Sequence, residues 1–307
     1  MRNAVVNRLT ELASQNDRIM LITGDLGYGV LEEYEKKFPD QFLNAGVAEQ
    51  NMTAIAAGMA LEGYIVFTYS IANFPFLRCL EQIRNDVCYH NANVNIISVG
   101  GGFSYGALGM SHHATEDISI MRSLPNMNVI VPSEPWQAAE AIDTIVNDPK
   151  PCYLRIDKSS GGVSNVEGKP FKLGQANIVR NGDDLTLIST GGILEEALTA
   201  ANQLSTQGIQ CRVIDMSTVK PVDEKVIIDA AKNTQGIITI EEHNIIGGLG
   251  SVISEVCLKN QILPKSFSNI GLNDVYSSIV GSQKYLRKHY QLDSEAIIEK
   301  AISMVRE

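Results

Sequence analysis

Apolar residues recur along the chain in two patterns, continuous short runs and runs with helical spacing. Residues 1–14 place apolar side chains three and four positions apart, which predicts an amphipathic helix, and the apolar run 19–23 predicts a buried strand. Further predicted strands are 64–68, 94–99, 129–132 and 152–156. Helices are predicted over 70–84 and from Glu134, where acidic and proline residues mark a first turn. This alternation predicts an α/β domain with a parallel sheet between helices.

Residues 159–173 (SSGGVSNVEGKPFKL) have no periodicity and are rich in Gly, Ser and Pro, which indicates a linker. Beyond it the alternation restarts. The predicted strands there are 185–190, 210–215 and 237–242, and the predicted helices are 194–204, one opening at 219–223 and one beginning at 247–250. We therefore expect two α/β domains, residues 1–165 and 174–307, the second with a parallel or mixed sheet.

The length of 307 residues fits two domains of ordinary size, and 44% of the residues are hydrophobic. No apolar run reaches the roughly 18 residues that span a bilayer, and the amino-terminal residues lack the apolar centre of a secretory signal. These features predict a soluble, cytoplasmic protein. The formal net charge of −10 argues against nonspecific binding of nucleic acid or anionic membranes, because neither attracts a negatively charged protein.

The five cysteines lie along the chain without a C-x-x-C pair, mostly in apolar helix or strand patterns: Cys79, Cys88, Cys152, Cys211 and Cys257. This favours buried, reduced thiols over a metal site or a catalytic nucleophile. Of the five histidines, only His112 and His113 lie in an otherwise loop-like stretch. This pair is therefore the better candidate for chemistry.

One carboxylate lies at the start of the most apolar predicted helix. Residues 53–61 (TAIAAGMAL) are nearly all apolar or small, as in a helix buried on most sides, and Glu49 falls in or next to its first turn. The carboxylate could simply cap free N–H groups and complement the helix dipole. It could instead be a desolvated group that exchanges a proton with a bound ligand. The pattern alone leaves both alternatives open.

The stretch around Glu49, residues 43–52 (LNAGVAEQNM), resembles the G-x-x-E segment in the pyrimidine-binding domain of thiamine diphosphate enzymes. The flanking sequence most resembles the transketolases and deoxyxylulose-phosphate synthases, from about Ile19 to the end. The resemblance implies that Glu49 hydrogen-bonds the pyrimidine ring of the cofactor. It also implies that the second half, with E-E-H-N and G-G-L-G within 241–250, is a transketolase carboxyl-terminal domain. Those glycines lack the G-x-G-x-x-G spacing, so they favour close helix packing over nucleotide binding.

The resemblance implies further cofactor contacts. Asp25 and Leu26 lie in a glycine-flanked turn after the strand 19–23, where ligands bind in parallel α/β sheets, although an Asp can also simply close such a turn. In the family, an aromatic residue near position 74 stacks on the aminopyrimidine ring. Phe74 is the best match and Phe76 the alternative; without the resemblance, either would be taken as a core residue.

The glycine-rich loop after the strand 94–99 carries the implied substrate contacts. His112, followed four residues later by Glu116, resembles the H-x-x-x-E segment whose His touches the donor sugar. An imidazole there could stabilise an oxyanion or move protons near neutral pH. On this spacing we assign the role to His112 rather than His113. Lys158 stands where the family has a phosphate-binding Arg, and it is either a point-charge substitute or a solvated lysine.

The resemblance implies that this sequence is one half of a complete thiamine diphosphate enzyme. In the family, a G-D-G motif begins the segment that holds the diphosphate through Mg²⁺, and no G-D-G occurs here. We therefore expect the metal ligands on a separate amino-terminal, diphosphate-binding subunit. By the resemblance, the assembly contains two copies of each chain.

Two positions depart from the transketolase pattern. Leu108 replaces an acid that reads a donor hydroxyl, and Gly100 replaces a His that binds acceptor phosphate. An apolar side chain cannot accept a hydroxyl hydrogen bond, so we expect a deoxygenated or differently oriented donor.

The resemblance implies a transketolase-like transfer of a ketol unit between sugars or sugar phosphates, with thiamine diphosphate as cofactor. Two alternatives stay open. One is a condensation that uses pyruvate as donor, as in the deoxyxylulose-phosphate synthases. The other is a noncatalytic regulatory subunit that kept the fold, against which the retention of both Glu49 and His112 argues.

Overall fold

The computed structural model describes residues 1–158 and 170–306 of the chain. Most of the predicted linker, residues 159–173, lies outside the described residues. Within them, the chain forms two sheets flanked by helices, which is the α/β architecture that the sequence predicts.

Most of the predicted strands and helices are present, together with several that the sequence pattern does not predict. The strands are β1 (Ile19–Thr23), β2 (Phe42–Asn44), β3 (Ile65–Ile71), β4 (Val94–Val99), β5 (Asn128–Ile130), β6 (Cys152–Ile156), β7 (Asn177–Arg180), β8 (Leu185–Thr190), β9 (Cys211–Asp215), β10 (Thr218–Lys220), β11 (Ile237–Asn244) and β12 (Phe267–Leu272). The helices are α1 (Arg2–Ala13), α2 (Glu32–Lys37), α3 (Glu49–Leu61), α4 (Phe74–Leu77), α5 (Leu80–Gln82), α6 (Asp117–Ser123), α7 (Pro135–Asn147), α8 (Leu194–Thr206), α9 (Glu224–Asn233), α10 (Leu249–Lys259), α11 (Gln283–His289) and α12 (Ser294–Arg306). Strands β1, β4, β6 and β8 have the predicted limits.

Seven strands form the first sheet, in the order β10-β5-β6-β4-β3-β1-β2. Neighbouring strands are parallel except for the antiparallel pair β10 and β5. Strands β1, β4 and β6 are buried along their whole length, because helices cover both faces of the sheet. Helices α1 and α7 pack in one core, and α3 and α6 in the other. The carboxyl ends of β1, β3 and β4 consequently meet at one edge, where ligands bind in such sheets.

Five strands form the second sheet, in the order β12-β11-β8-β9-β7. Only β7 is antiparallel to its neighbour, so the predicted parallel or mixed sheet is confirmed as mixed. Helices α8 and α12 pack in one core of this sheet, and α9 and α10 pack in the other.

Strand β10 departs from the prediction, in which residues 219–223 only open a helix. Thr218 instead pairs with Ile130 of β5, with a register shift along the three residues. Strand β10 is too short and irregular to show a periodic pattern in the sequence. Its partner strand is also distant along the chain. Helix α9 begins at Glu224, directly after this predicted opening. The second half of the chain thus completes the sheet of the first half.

The segment 70–84, predicted as one helix, is divided. Strand β3 continues to Ile71 because Ser70 and Ile71 still pair with β4. Two short helices, α4 and α5, and a π-helical segment at Ile83–Cys88 follow. Pro75 lies in the first turn of α4, where its missing N–H is not needed. The division brings α4 against α3. Helix α3 is buried on one side only, because Gln50, Asn51, Ala54, Gly58 and Leu61 are exposed, so the expectation of a helix buried on most sides is wrong.

A buried ion pair in the first domain is hydrogen-bonded to the second sheet. Arg155 of β6 donates from Nε to Asp117 Oδ2 over 2.7 Å, and neither side chain is more than 2% exposed. Nη2 of Arg155 donates to the carbonyl oxygens of Ala114 (3.1 Å) and Glu242 (2.9 Å). Buried charges persist only when they are paired and hydrogen-bonded in this way. Because Asp117 begins α6, the network fixes the end of the loop that carries His112.

Two predictions from composition can be compared with the structure. All five cysteines are free and buried, as predicted. In the part of the chain that is described, no helix combines the length and apolar character needed to traverse a bilayer.

Candidate cofactor and active site

Glu49 is the first residue of α3, as the sequence predicts, and its side chain is only 4% exposed. The turn after β1 lies beside the start of this helix at Gly24. A Cβ at Gly24 would lie 3.6 Å from Glu49 Cγ and 3.3 Å from the Gly46 carbonyl oxygen. The amino end of the helix favours a negative charge at this position. The carboxylate is therefore desolvated and closely packed beside the end of β1.

Glu49 pairs with an arginine that the sequence analysis did not single out. Arg78, directly after α4, donates from Nη1 to Glu49 Oε2 over 3.0 Å. Its guanidinium carbon also lies 4.7 Å from the ring centroid of Phe74. The pair joins residues 29 positions apart, and no motif in the sequence links them.

Phe74 lies between Arg78 and His112. The Phe74 ring packs edge-on against the His112 imidazole, with centroids 5.2 Å apart. Phe74 is half-buried, whereas Phe76 is fully buried in the core, with its ring edge-on to Tyr153. Of the two predicted stacking residues, Phe74 therefore has the accessible ring.

The two adjacent histidines have different environments. His112 is half-buried, and its ring faces Phe74. His113 is 4% exposed, its Nε2 lies 3.3 Å from the Gly106 carbonyl oxygen, and its ring packs on Phe103. Burial lowers the pKa of His113, which favours the neutral imidazole. The geometry thus agrees with the choice of His112 as the residue available for chemistry.

Asp25 follows β1 in the left-handed region, with φ of +58°, and is exposed. Its N–H donates to Asn44 Oδ1 over 3.0 Å, and Oδ1 of Asp25 accepts from the Tyr28 hydroxyl (2.9 Å) and Asn44 Nδ2 (3.2 Å). Asn44 Oδ1 also accepts from the Gly46 N–H over 3.0 Å. Asn44 therefore ties the turn that contains Asp25 and Leu26 to the turn that leads into α3.

Lys158 is exposed after β6, and its ammonium group lies 5.2 Å from the ring centroid of Tyr105. The same Tyr105 ring fills the space at Gly100, where an added Cβ would lie 2.2 Å from ring atoms. Leu108 is 54% exposed, so an apolar side chain stands on the surface of the loop. The contacts of the described residues place Lys158 beside the glycine-rich loop but do not join it to His112.

The second domain reaches the glycine-rich loop through Glu242 of β11. Its Oε1 accepts from the Phe103 N–H over 2.5 Å and from Gln283 Nε2 over 2.9 Å, and its Oε2 accepts from Arg287 Nε. Burial and the neighbouring Glu242 carboxylate raise the pKa of Asp157 to about 6. The E-E-H-N pattern does not predict a role for Glu242, because the partners of this carboxylate lie in distant segments.

These residues fit the pyrimidine half of thiamine diphosphate. Glu49 offers a desolvated carboxylate, and Phe74 offers an accessible aromatic ring. The planar guanidinium of Arg78 contacts both of them. Within residues 1–158 and 170–306, no group of three or more His, Cys, Asp or Glu side chains could hold a metal ion.

Two family models match the chain and together cover most of it. The pyrimidine binding domain of transketolase matches residues 1–162, and the transketolase C-terminal domain matches residues 174–297.

Several relatives are similar over nearly the whole chain. One of the subunits of the apulose-4-phosphate transketolase of Phocaeicola vulgatus is 38% identical over 307 residues, covering 99% of this chain and 97% of that protein. The 6-deoxy-6-sulfo-D-fructose transketolase subunit SqwH of a Clostridium species is 33% identical, covering 98% of this chain and 93% of that protein. The 1-deoxy-D-xylulose-5-phosphate synthase of Syntrophus aciditrophicus is 32% identical, but this chain spans only 46% of its length.

Two solved structures of transketolases are also similar to this chain. A split-gene transketolase described as an inactive beta4 tetramer superposes with a TM-score of 0.89 at 32% identity, covering 99% of this chain and 97% of that one. The transketolase of Campylobacter jejuni shares the fold at 18% identity, with a TM-score of 0.80 over 98% of this chain and 46% of its own. The chain therefore belongs to the transketolase family and contains its pyrimidine-binding domain followed by its carboxyl-terminal domain.

Proposed function

We propose that this chain is the carboxyl-terminal subunit of a split, thiamine diphosphate-dependent transketolase that transfers a ketol unit between sugars or sugar phosphates. The observation that carries the proposal is the contiguous group Glu49, Arg78, Phe74 and His112, in which a buried carboxylate, an accessible aromatic ring and an accessible imidazole meet. The relatives named as transketolase subunits, which match this chain over nearly their whole length, support the split organisation.

Thiamine diphosphate, when bound, supplies an electron sink for making and breaking the carbon–carbon bond next to a carbonyl. Glu49 holds a proton at a ring nitrogen of the pyrimidine, where a desolvated carboxylate interacts strongly because little water screens it. Phe74 stacks on the same ring and fixes its plane. Asp25 and Leu26 line the adjacent turn, whose position Asn44 fixes through its hydrogen bonds to Asp25.

His112 and Lys158 act on the sugar. The imidazole of His112 donates a hydrogen bond to, or exchanges a proton with, an oxygen next to the reacting carbon. Lys158 attracts an anionic group of the substrate as a point charge. Leu108 and Gly100 offer no polar side chain where a hydroxyl or phosphate partner would be expected, which favours a donor or acceptor that lacks the corresponding group.

The partner in this proposal is a diphosphate-binding subunit, with two copies of each chain, and its residues hold Mg²⁺. A cytoplasmic location is proposed with it. A pyruvate-dependent condensation is the second candidate. It is favoured by the similarity to a deoxyxylulose-phosphate synthase and by the exposed apolar Leu108 on the loop.

Reconstitution tests the proposal. The chain is purified alone and with a diphosphate-binding subunit, then assayed with thiamine diphosphate and Mg²⁺ on ketoses, ketose phosphates and pyruvate, each with an aldose acceptor. We expect ketol transfer from a ketose donor only when both chains are present. Full activity from this chain alone would contradict the split enzyme, and turnover with pyruvate and release of carbon dioxide would establish the second candidate. Cofactor binding without turnover of any donor would indicate a regulatory subunit.

A further inference from the structure

The guanidinium of Arg78 makes two contacts that an aminopyrimidine would also make. Nη1 donates to Glu49 Oε2 over 3.0 Å, and the guanidinium carbon lies 4.7 Å from the Phe74 ring centroid. Arg78 is 48% exposed, whereas Glu49 is 4% exposed, so the arginine is the outer member of the pair.

The likeness is chemical as well as positional. A guanidinium is planar, carries N–H donors in the plane that match a carboxylate, and stacks on aromatic faces. A protonated 4-aminopyrimidine also has a planar N–C–N edge with N–H donors and a face that stacks. Both groups are therefore of the kind that hydrogen-bonds a carboxylate such as that of Glu49 and stacks on a ring such as that of Phe74.

We propose that Arg78 is an internal competitor for the pyrimidine ring of thiamine diphosphate, an inference that rests on the function proposed above. The side chain covers Glu49 and Phe74 and must turn outward when the cofactor ring binds. Its half-exposed position makes this movement feasible, because an ion pair with one exposed partner and a cation–π contact at the surface are each weak. The competition reduces the apparent affinity by the fraction of molecules in which Arg78 is turned outward.

The direction in which cofactor affinity changes when the Arg78 guanidinium is removed distinguishes a competitor from a group that supports cofactor binding. If Arg78 competes, removing its guanidinium tightens cofactor binding by roughly 3–30-fold, the combined weight of two weak contacts. If Arg78 instead supports Glu49 while the cofactor is bound, removing it weakens binding. A purely structural role predicts no change in affinity and a lower melting temperature.

Isothermal titration of thiamine diphosphate with Mg²⁺ into the complex of the full chain and its diphosphate-binding partner tests the inference. Arg78→Met keeps the apolar stem and removes the planar cation. Arg78→Lys keeps the charge but not the plane, and we expect its affinity to lie between wild type and Arg78→Met. Arg84→Met is the matched control, since Arg84 is exposed and bonds to Asn85. Thermal melting of each variant confirms that it folds.

Tighter binding by Arg78→Met, with Arg84→Met unchanged, supports the inference. Equal or weaker binding by Arg78→Met, beside a wild type that binds, overturns it and leaves the proposed function intact. Binding by Arg78→Met when the wild type does not bind also supports the competitor. Failure of every variant to bind contradicts the proposed function and the inference together.

Discussion

Glu242 of the second domain accepts a hydrogen bond from the backbone N–H of Phe103, over 2.5 Å, in the glycine-rich loop of the first. The approach is close because Gly102 has no side chain: an added Cβ would lie 2.4 Å from Glu242 Oε1. The loop that carries His112 is therefore held from the carboxyl-terminal domain as well as from its own sheet. This contact gives the second domain a part in shaping the candidate site.

Replacement of Glu242 tests the buried Glu242–Arg287 ion pair, which holds the Glu242 carboxylate beside the loop, through stability. Glu242→Gln leaves Arg287, which is 3% exposed, without its buried carboxylate partner. Breaking such a pair costs about 3–5 kcal/mol of the free energy of unfolding, because one charge stays buried. Urea denaturation monitored by circular dichroism measures the change. Glu195→Gln removes the more exposed partner of the same arginine and is the control, with an expected cost below about 1 kcal/mol. Equal losses of unfolding free energy for Glu242→Gln and Glu195→Gln would contradict a stabilising buried Glu242–Arg287 pair.

Asp215 predicts a pH dependence of stability. It is fully buried at the end of β9 and accepts from Ser133 Oγ and Gln137 Nε2 of the first domain, each over 2.5 Å. Burial raises its pKa from the ordinary value of 3.8 to about 6. A raised carboxyl pKa favours the folded state below about pH 4, and that contribution is lost as the pH rises through 6.

Asp215→Asn removes this titration and can keep both hydrogen bonds, its Oδ1 accepting from Gln137 and its Nδ2 donating to Ser133. Relative to this variant, the wild type should lose about 2 kcal/mol of unfolding free energy between pH 4.5 and 7.5. Urea denaturation across that range measures the difference, with Asp183→Asn, at an exposed position, as the control. Parallel pH profiles for wild type and Asp215→Asn would show that the carboxyl titrates normally.

Much of the fold could be predicted because it depends on local pattern. Strands β1, β4, β6 and β8 are short runs of mainly apolar or β-branched residues between turn residues, and the start of α3 at Glu49 follows from the apolar helix behind it. Strand β10 could not be predicted, since it forms only by pairing with β5 across the two domains. The division of 70–84 into short helices was missed because its apolar residues suit strand and helix equally.

Some residues of the candidate site could likewise be predicted from the sequence, and others could not. Glu49, Asp25, Phe74 and His112 lie in segments with a family pattern and could be named from sequence. Arg78 and Glu242 could not, because their roles come from partners at distances of 29 and 139 positions along the chain. Phe76 is a useful case: the sequence offers it as the alternative to Phe74, and its burial against Tyr153 removes it as an accessible ring.

The two histidines should separate activity from stability. His112→Ala should lower the turnover of the reconstituted enzyme by roughly 10²–10⁴ and leave cofactor binding nearly intact, because the imidazole acts on the substrate. His113→Ala should instead cost about 2–4 kcal/mol of unfolding free energy, because it leaves a cavity against Phe103. Steady-state kinetics and urea denaturation of both variants measure the contrast. Loss of turnover from His113→Ala alone, with a stable fold and an active His112→Ala, would identify His113 as the reactive neighbour.

The central claim is that Glu49 acts on the cofactor rather than only on its helix. Glu49→Gln keeps the volume and packing at the start of α3 but cannot hold a proton as a carboxylate does. The direct measurement is the rate at which the thiazolium carbon proton of thiamine diphosphate exchanges with deuterium, followed by NMR on the reconstituted complex. We predict that Glu49→Gln slows this exchange by orders of magnitude while the complex persists and cofactor affinity falls modestly. An unchanged exchange rate, with a stability cost of about 1 kcal/mol or less, would show that Glu49 is only a helix cap.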